Sequence, residues 1–409
     1  MNKKTLLALT IGVSYTLSSF VMSAEISPEK DAKLLIWSDE SAIAYIKYAG
    51  DKFNEKYHSN ISFTVSGLAP IDSASRIIQD GGSTRVADVA EIEHDQLGRL
   101  VVAGGVMENL VSGNRIKNTF LQNAVDASYY DGHNYGFPVS YATMALFYNK
   151  DILPDAPKSF EQLINFSKKF NIPKENRYAL LWDVQNYYES RMFVAMYGAY
   201  EFGHNGTDVR DIGINSIKAQ KGLESMKQLK AANSANPADL RNPQVRRGLF
   251  SEGKIAAIID GPWAVQGYEN SKINYGVIPI PTLNGEKPRT FSTVRLAIVT
   301  SYSPYPKAAQ LFADFLTTNE MLLKRYEMTN SLPPVPELMK KISESANDAT
   351  KSFIAQGNNS DAMPAIPEMG YLWSPMANAI TAVWVNNEPA KSALDHAREI
   401  IDEQMQLQE

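Results

Sequence analysis

The sequence predicts an α/β protein built as two lobes. Three features lead there. After an N-terminal leader, strand and helix patterns alternate as β-α-β-α-β over roughly the first hundred residues, the signature of a layered α/β unit. Phe137 to Lys150 is then one extended run, too long for an ordinary strand, as an element leaving one sheet and entering another would be. A second α/β unit follows, and a second extended run, Thr293 to Thr300, takes the chain back. Long extended connections of this kind imply lobes joined by several crossings. The 409 residues give length for two or three domains.

Residues 1–24 stand apart from the fold. Lys3-Lys4 is a basic start, Leu6 to Val13 a short apolar core, and Val21-Met22-Ser23-Ala24 ends in small residues. That is the pattern of a secretory signal peptide cut after Ala24. The apolar run falls well short of the roughly 20 residues a membrane span needs. A formal net charge of −5, with no basic stripe, argues against a nucleic-acid partner. The absence of cysteine excludes disulfides, Cys-ligated zinc and a lipid-bearing N-terminal Cys.

Lys33-Leu34-Leu35-Ile36-Trp37 is apolar on both faces, as a strand covered by helices on both sides should be. Ile46, Ala49, Phe53 and Tyr57 recur on one helical face, Ile61, Phe63 and Val65 alternate as a strand, and Ile77-Ile78 closes a second helix. Val86 to Ala90 is the next buried strand. Ser159 with Gln162 forms a capping box ahead of Leu163, Phe166 and Phe170. Tyr178 to Trp182 and Gly253 to Ile259 are further strands. Ala308 to Leu316 and Leu394 to Ile401 carry the last two helical stripes.

Catalytic signatures are missing. His58, His94, His133, His204 and His396 are scattered, and no metal site, nucleophile elbow or phosphate loop is present, so neither cofactor nor metal is expected. Asp39-Glu40 and Glu91/Glu93/Asp95 are the acids that a glycan-cleaving enzyme would use, which keeps a hydrolase as the alternative. Aromatic residues instead gather at chain breaks. Tyr187-Tyr188 follows a strand, Tyr371 and Trp373 precede Pro375, and Trp263 follows Gly261-Pro262, where the glycine is expected to supply an unusual backbone angle. Aromatic faces cover the C–H faces of sugar rings, while carboxylates and amides engage ring hydroxyls. A secreted protein with this pattern reads as a carbohydrate binder.

Several long segments resemble the periplasmic maltose/maltodextrin-binding protein family, the family 1 solute-binding proteins of ABC importers. They are Lys33 to Trp37, His94-Asp95, Tyr148 to Asp151 with Leu153-Pro154, Asp260 to Val277, and Met363 to Met369 with Trp373. The resemblance implies a type II periplasmic-binding-protein fold with an interlobe cleft. It implies three hinge crossings, near Tyr141–Met144, Ser292–Leu296 and about residue 345. The lobes would comprise 25–141 with 297–345, and 142–296 with 346–409.

Carried over by position, the resemblance makes Trp263, Trp373 and Tyr188 stacking residues, adds Met363, and makes Asp95 an acceptor of sugar hydroxyls. Asn186 and Tyr187 replace the family's Glu-Pro, and Gln96 and Ala377 replace arginines. Ala142 replaces a glutamate, Ile92 a tryptophan, and Asp39-Glu40-Ser41-Ala42 an Asn-x-Asp-Lys cluster. With Tyr141 at the crossing, these supply the ligand-binding candidates. The expectation is a soluble, monomeric periplasmic receptor that hands an oligosaccharide to an ABC membrane permease. The sugar would be bulkier than maltose or differently linked, a cyclodextrin, longer maltodextrin or galacto-oligosaccharide. A receptor for a non-oligosaccharide solute is the second alternative.

Overall fold

In the computed structural model, which describes residues 26–83 and 85–407, the strands sort into two main sheets. The predicted leader, residues 1–24, lies outside the described residues. β1 (Lys33–Ser38), β2 (Ser62–Gly67) and β3 (Val89–Glu93) form the parallel part of the first sheet, with β1 in the middle. Between them run α1 (Ile43–Tyr57) and α2 (Pro70–Asp80). Ile46, Ala49 and Phe53 of α1 are fully buried, as their spacing requires. β2 alternates between half-buried and exposed because it is the edge strand. β3 begins three residues later than Val86. Just before it Asp88 bonds Leu35 and Thr300 through its backbone, and its carboxylate accepts from the Leu35 amide (2.7 Å) and the Ser303 hydroxyl (2.6 Å).

The long extended run divides at Met144. β4 (Phe137–Thr143) stays in the first sheet, and β5 (Ala145–Asn149) enters the second. There β6 (Tyr178–Leu181), β7 (Ile255–Asp260) and β8 (Tyr275–Ile278) complete the order β8-β5-β7-β6. β7 lies between two neighbours and is buried at all six positions, which accounts for its unbroken apolar sequence. α3 (Phe160–Phe170) forms as expected, but without the capping box. Its Phe160 amide donates to the Thr282 carbonyl at 2.8 Å, and Gln162 accepts from the Lys158 amide instead of reaching Ser159. α4 (Tyr187–Val194) follows β6.

β9 (Thr290–Val299) is the second crossing element. It pairs antiparallel with β3 through Arg295–Val299 and with β4 through Ser292–Ala297, so the first sheet is mixed rather than wholly parallel. Its other end pairs with β10 (Ser360–Ala362). Leu332 bridges to Tyr141 in the first sheet, and α5 (Asp348–Gly357) packs on β8 and β5 of the second sheet and on β4 of the first, so this third segment spans both. α6 (Trp373–Asn386) and α7 (Ala390–Gln406) pack on each other and join the second core, where Trp384 of α6 meets Trp182 edge-on at 5.5 Å.

Candidate ligand-binding site

In open α/β sheets the crevice lies beyond the carboxyl ends of the parallel strands. β1 and β3 end at Ser38 and Glu93, and β6 and β7 end at Leu181 and Asp260. The predicted residues follow those ends. Asp39, Glu40 and Ser41 come directly after β1, Asp95 and Gln96 after β3, Asn186 to Tyr188 after β6, and Trp263 after β7. Met363 follows β10, Trp373 opens α6, and Tyr141 lies within β4.

Trp263 is 50% exposed, unusual for so large an apolar ring, yet it is held rigidly. Its indole Nε1 donates to Asp260 Oδ1 at 2.8 Å. The same carboxylate accepts from the Gly261 amide, the Tyr268 hydroxyl and, bidentately, Arg247. Gly261 has an ordinary extended backbone (φ −114°, ψ 179°), so no unusual angle is involved. The glycine is needed because a Cβ would collide with the six-membered ring of Trp263. The sequence thus builds an exposed aromatic plate pinned at its edge and seated on bare backbone.

Of the paired tyrosines, only Tyr188 keeps part of its surface open. Tyr188 is half-buried, and its ring stacks on Phe291 at 6.2 Å and 23°. Burial, with the Glu93 charge next, raises the pKa of its hydroxyl, which stays protonated. Tyr187 is buried, its hydroxyl donating to Glu201 Oε1 at 2.6 Å and its ring edge-on to Trp373 and Phe291. Although a ligand-binding candidate by sequence, Tyr187 is buried and packs behind Trp373 instead of offering a free face. Asn186 is exposed and caps α4 by accepting from the Tyr188 amide at 3.0 Å.

Around the first sheet the groups are polar. Burial works against the Asp39 charge, but the hydroxyl and amide of Ser41, aided by Arg295 and Arg325, hold its carboxyl below the ordinary value. For Asp95 a backbone hydrogen bond and the Arg99 charge are too weak to offset burial. Burial, followed by the neighbouring Glu93 charge, pushes it up to about 7. Gln96 is engaged on both ends, donating to Ile71 O and accepting from Arg99. Tyr141 is buried with its hydroxyl 3.1 Å from Ser360 Oγ, which makes it a tie across the crossing. Met363 is buried, and its carbonyl accepts from His94 Nε2 at 2.8 Å. The Val294 amide donates to His94 Nδ1, so the imidazole is neutral with its proton on Nε2, as burial favours.

Sequence reasoning missed several members. Asp260 and Phe291 hold the aromatic groups in place. Of the acids weighed for catalysis, Glu91 is fully buried against Arg325 and Glu93 is paired with Arg295. Among the described residues no cluster of His, Asp and Glu is arranged to hold a metal. A cavity of about 1090 Å³ lies beside this region, lined by Asp126, Tyr130, Arg191, Asp361 and Met363, but includes none of Tyr188, Trp263 and Trp373.

Two α/β lobes joined by crossing strands, with aromatic and carboxylate groups at the strand ends, define a cleft-type solute-binding protein. The chain belongs to the family described as bacterial extracellular solute-binding protein, whose sequence model matches residues 37–322. It is 31% identical to the galactooligosaccharide-binding protein of Bacillus subtilis over 91% of this chain and 89% of that one. It is 29% identical to a maltooligosaccharide ABC transporter solute-binding lipoprotein of Streptococcus pneumoniae, over 91% and 88%. Among solved structures it is similar to a cyclo/maltodextrin-binding protein complexed with maltotetraose (32% identity, TM-score 0.80, 92% and 98% covered). It is also similar to MalX from Streptococcus pneumoniae in complex with maltopentaose (28%, 0.83, 91% and 100%). The resemblance and the two-lobed fold expected from the sequence are both borne out.

Proposed function

We propose that this chain is a periplasmic receptor that captures a neutral oligosaccharide between its lobes and delivers it to an ABC permease. The observation that carries this is Trp263, a half-exposed indole fixed by Asp260 beyond a strand end, in a chain whose relatives are sugar-binding proteins. Tyr188 and Trp373 extend the apolar surface, while Asp39 and Asp95 supply acceptors for hydroxyls. Glu40, Ser41 and Met363 complete the site. We assign 25–141 and 297–345 to one lobe and 142–296 and 346–409 to the other, although residues 290–296 and β10 pair within the first sheet beyond those bounds. The chain acts as a monomer and performs no catalysis. Separate pairing of Glu91 with Arg325 and of Glu93 with Arg295 favours this over glycan cleavage. Export through the leader would leave a mature chain starting at Glu25, and intact-mass measurement of periplasmic protein with residues 1–24 retained would contradict it.

The ligand is larger than maltose or not glucose-based. Ala142 and Ala377 are small and partly open, Ala42 is buried and adds no room, and Gln96 is occupied by its own neighbours. Calorimetric titration with maltose, maltotriose, cyclodextrins and galacto-oligosaccharides is the test, with product analysis of each mixture. Tightest binding by maltose sinks the size argument. Turnover of any sugar sinks the receptor reading.

A further inference from the structure

Glu93 and Arg295 are directly opposed in the antiparallel ladder of β3 and β9, so their side chains share one face of the first sheet. Arg295 donates through Nε (3.3 Å) and Nη2 (3.0 Å), and both bonds go to Oε1 of Glu93. Glu93 Oε2 and Arg295 Nη1 make no hydrogen bond to any described residue. The side chains are 21% and 22% exposed, so both free atoms belong to a pair that water reaches only in part. The pair also sits where the site's groups meet. The Glu93 charge acts on Asp95 and on the Tyr188 hydroxyl, and the Arg295 charge acts on Asp39.

We propose that Glu93 and Arg295 form a ligand-contacting pair on the cleft floor that selects a vicinal diol of a neutral sugar ring. This rests on the receptor reading above. One hydroxyl of the diol donates to Glu93 Oε2, and its neighbour accepts from Arg295 Nη1. Closure of the lobes removes the water from these two atoms, and a ligand without matching groups leaves a charged acceptor and a charged donor bare. That penalty is what makes such a site discriminating. The surrounding charge fixes the class further. The Arg295 charge is met by Glu93 and also acts on Asp39, so the pair offers no uncompensated cation to an anionic sugar and suits a neutral one.

The test is isothermal titration calorimetry of the full chain against maltotriose, maltotetraose, α-cyclodextrin, β-galactotriose and trigalacturonate. The best-bound sugar is then titrated into Glu93→Gln and Arg295→Leu, well below each variant's melting transition. Each substitution is expected to weaken binding by about ten- to a hundredfold, the loss of one charge-assisted hydrogen bond. Affinities within about twofold of the parent, with or without a lower melting temperature, make the pair merely structural and overturn the proposal. Should Arg295→Leu fail to fold, Glu93→Gln, which keeps the shape, decides alone. Tighter binding of trigalacturonate than of every neutral sugar overturns the diol assignment while leaving a receptor. A parent chain that binds no sugar in the panel overturns the receptor reading itself.

Discussion

Asp95 carries a charge problem that its ligand can solve. Its carboxyl is raised from 3.8 to about 7 by burial and then by Glu93. The unliganded fold therefore binds this proton more tightly than the unfolded chain. This contribution to stability is full below about pH 4 and lost as the pH rises through about 7. A sugar hydroxyl that donates to Asp95 needs the ionised form. Affinity should thus climb between pH 6 and pH 8, by up to about tenfold, with proton release on binding at the lower pH. Calorimetry in two buffers of different ionisation enthalpy measures both, and a flat profile would remove Asp95 from the site. Trp263 gives a second expectation. Trp263→Ala should cost about 1–3 kcal/mol of binding with little change in melting temperature, and Gly261→Ala, which tilts the indole, should cost less. Wild-type affinity in both variants would show that the exposed ring faces away from the ligand.

At the scale of elements, local periodicity was legible and tertiary partnership was not. β1, α1 and the division of residues 137–150 between two sheets follow from side-chain spacing and run length, which are properties of contiguous sequence. Asp260 at the end of β7 was visible, but its partners Arg247 and Tyr268 come from helices whose approach only the fold determines. Arg295 lay inside Val-Arg-Leu-Ala-Ile-Val, where a charge in a buried strand demands a partner, and that signal was available. Tyr187 and Tyr188 were treated alike, although successive helical residues point about 100° apart and cannot both face one cleft. What Tyr187 faces is an ionic network. Burial opposes the charge on Arg191, but Glu201 and then Asp361 secure it, with bonds of 2.9 Å to both Glu201 oxygens and 2.6 Å to Asp361. Arg289 also binds Asp361, so α4 is tied to β10 and to the approach to β9. Arg191→Met leaves the buried Glu201 uncompensated and Asp361 with Arg289 alone, and should lower unfolding stability by about 3–5 kcal/mol. A loss under about 1 kcal/mol in a urea titration would mean that water takes over the network's role.

For the whole molecule the question is how two lobes move without breaking. The lobes share β4 and β9, and these pair with each other from Ser292–Thr143 to Ala297–Phe137. A connection of two hydrogen-bonded strands resists stretching but permits rotation, and the register shift between Arg295 and Leu296 gives β9 a point at which to bend. Tyr141 to Ser360 and His94 to Met363 add ties that hold the crossings together while the sheets turn about them. Aromatic groups beyond β6 and β7 and acids beyond β1 and β3 can then engage one sugar from both sides, and only the closed form satisfies both sets. A ligand that binds this way shifts the population toward closure by its difference in affinity for the two forms. At a hundred times Kd it also stabilises the fold by about 2.7 kcal/mol. Solution scattering at saturating sugar should therefore show a smaller radius of gyration, with light scattering reporting an unchanged monomer mass. A melting temperature that rises while the radius stays fixed would mean that the sugar occupies one lobe alone, and the acids and the aromatic groups would then belong to different sites.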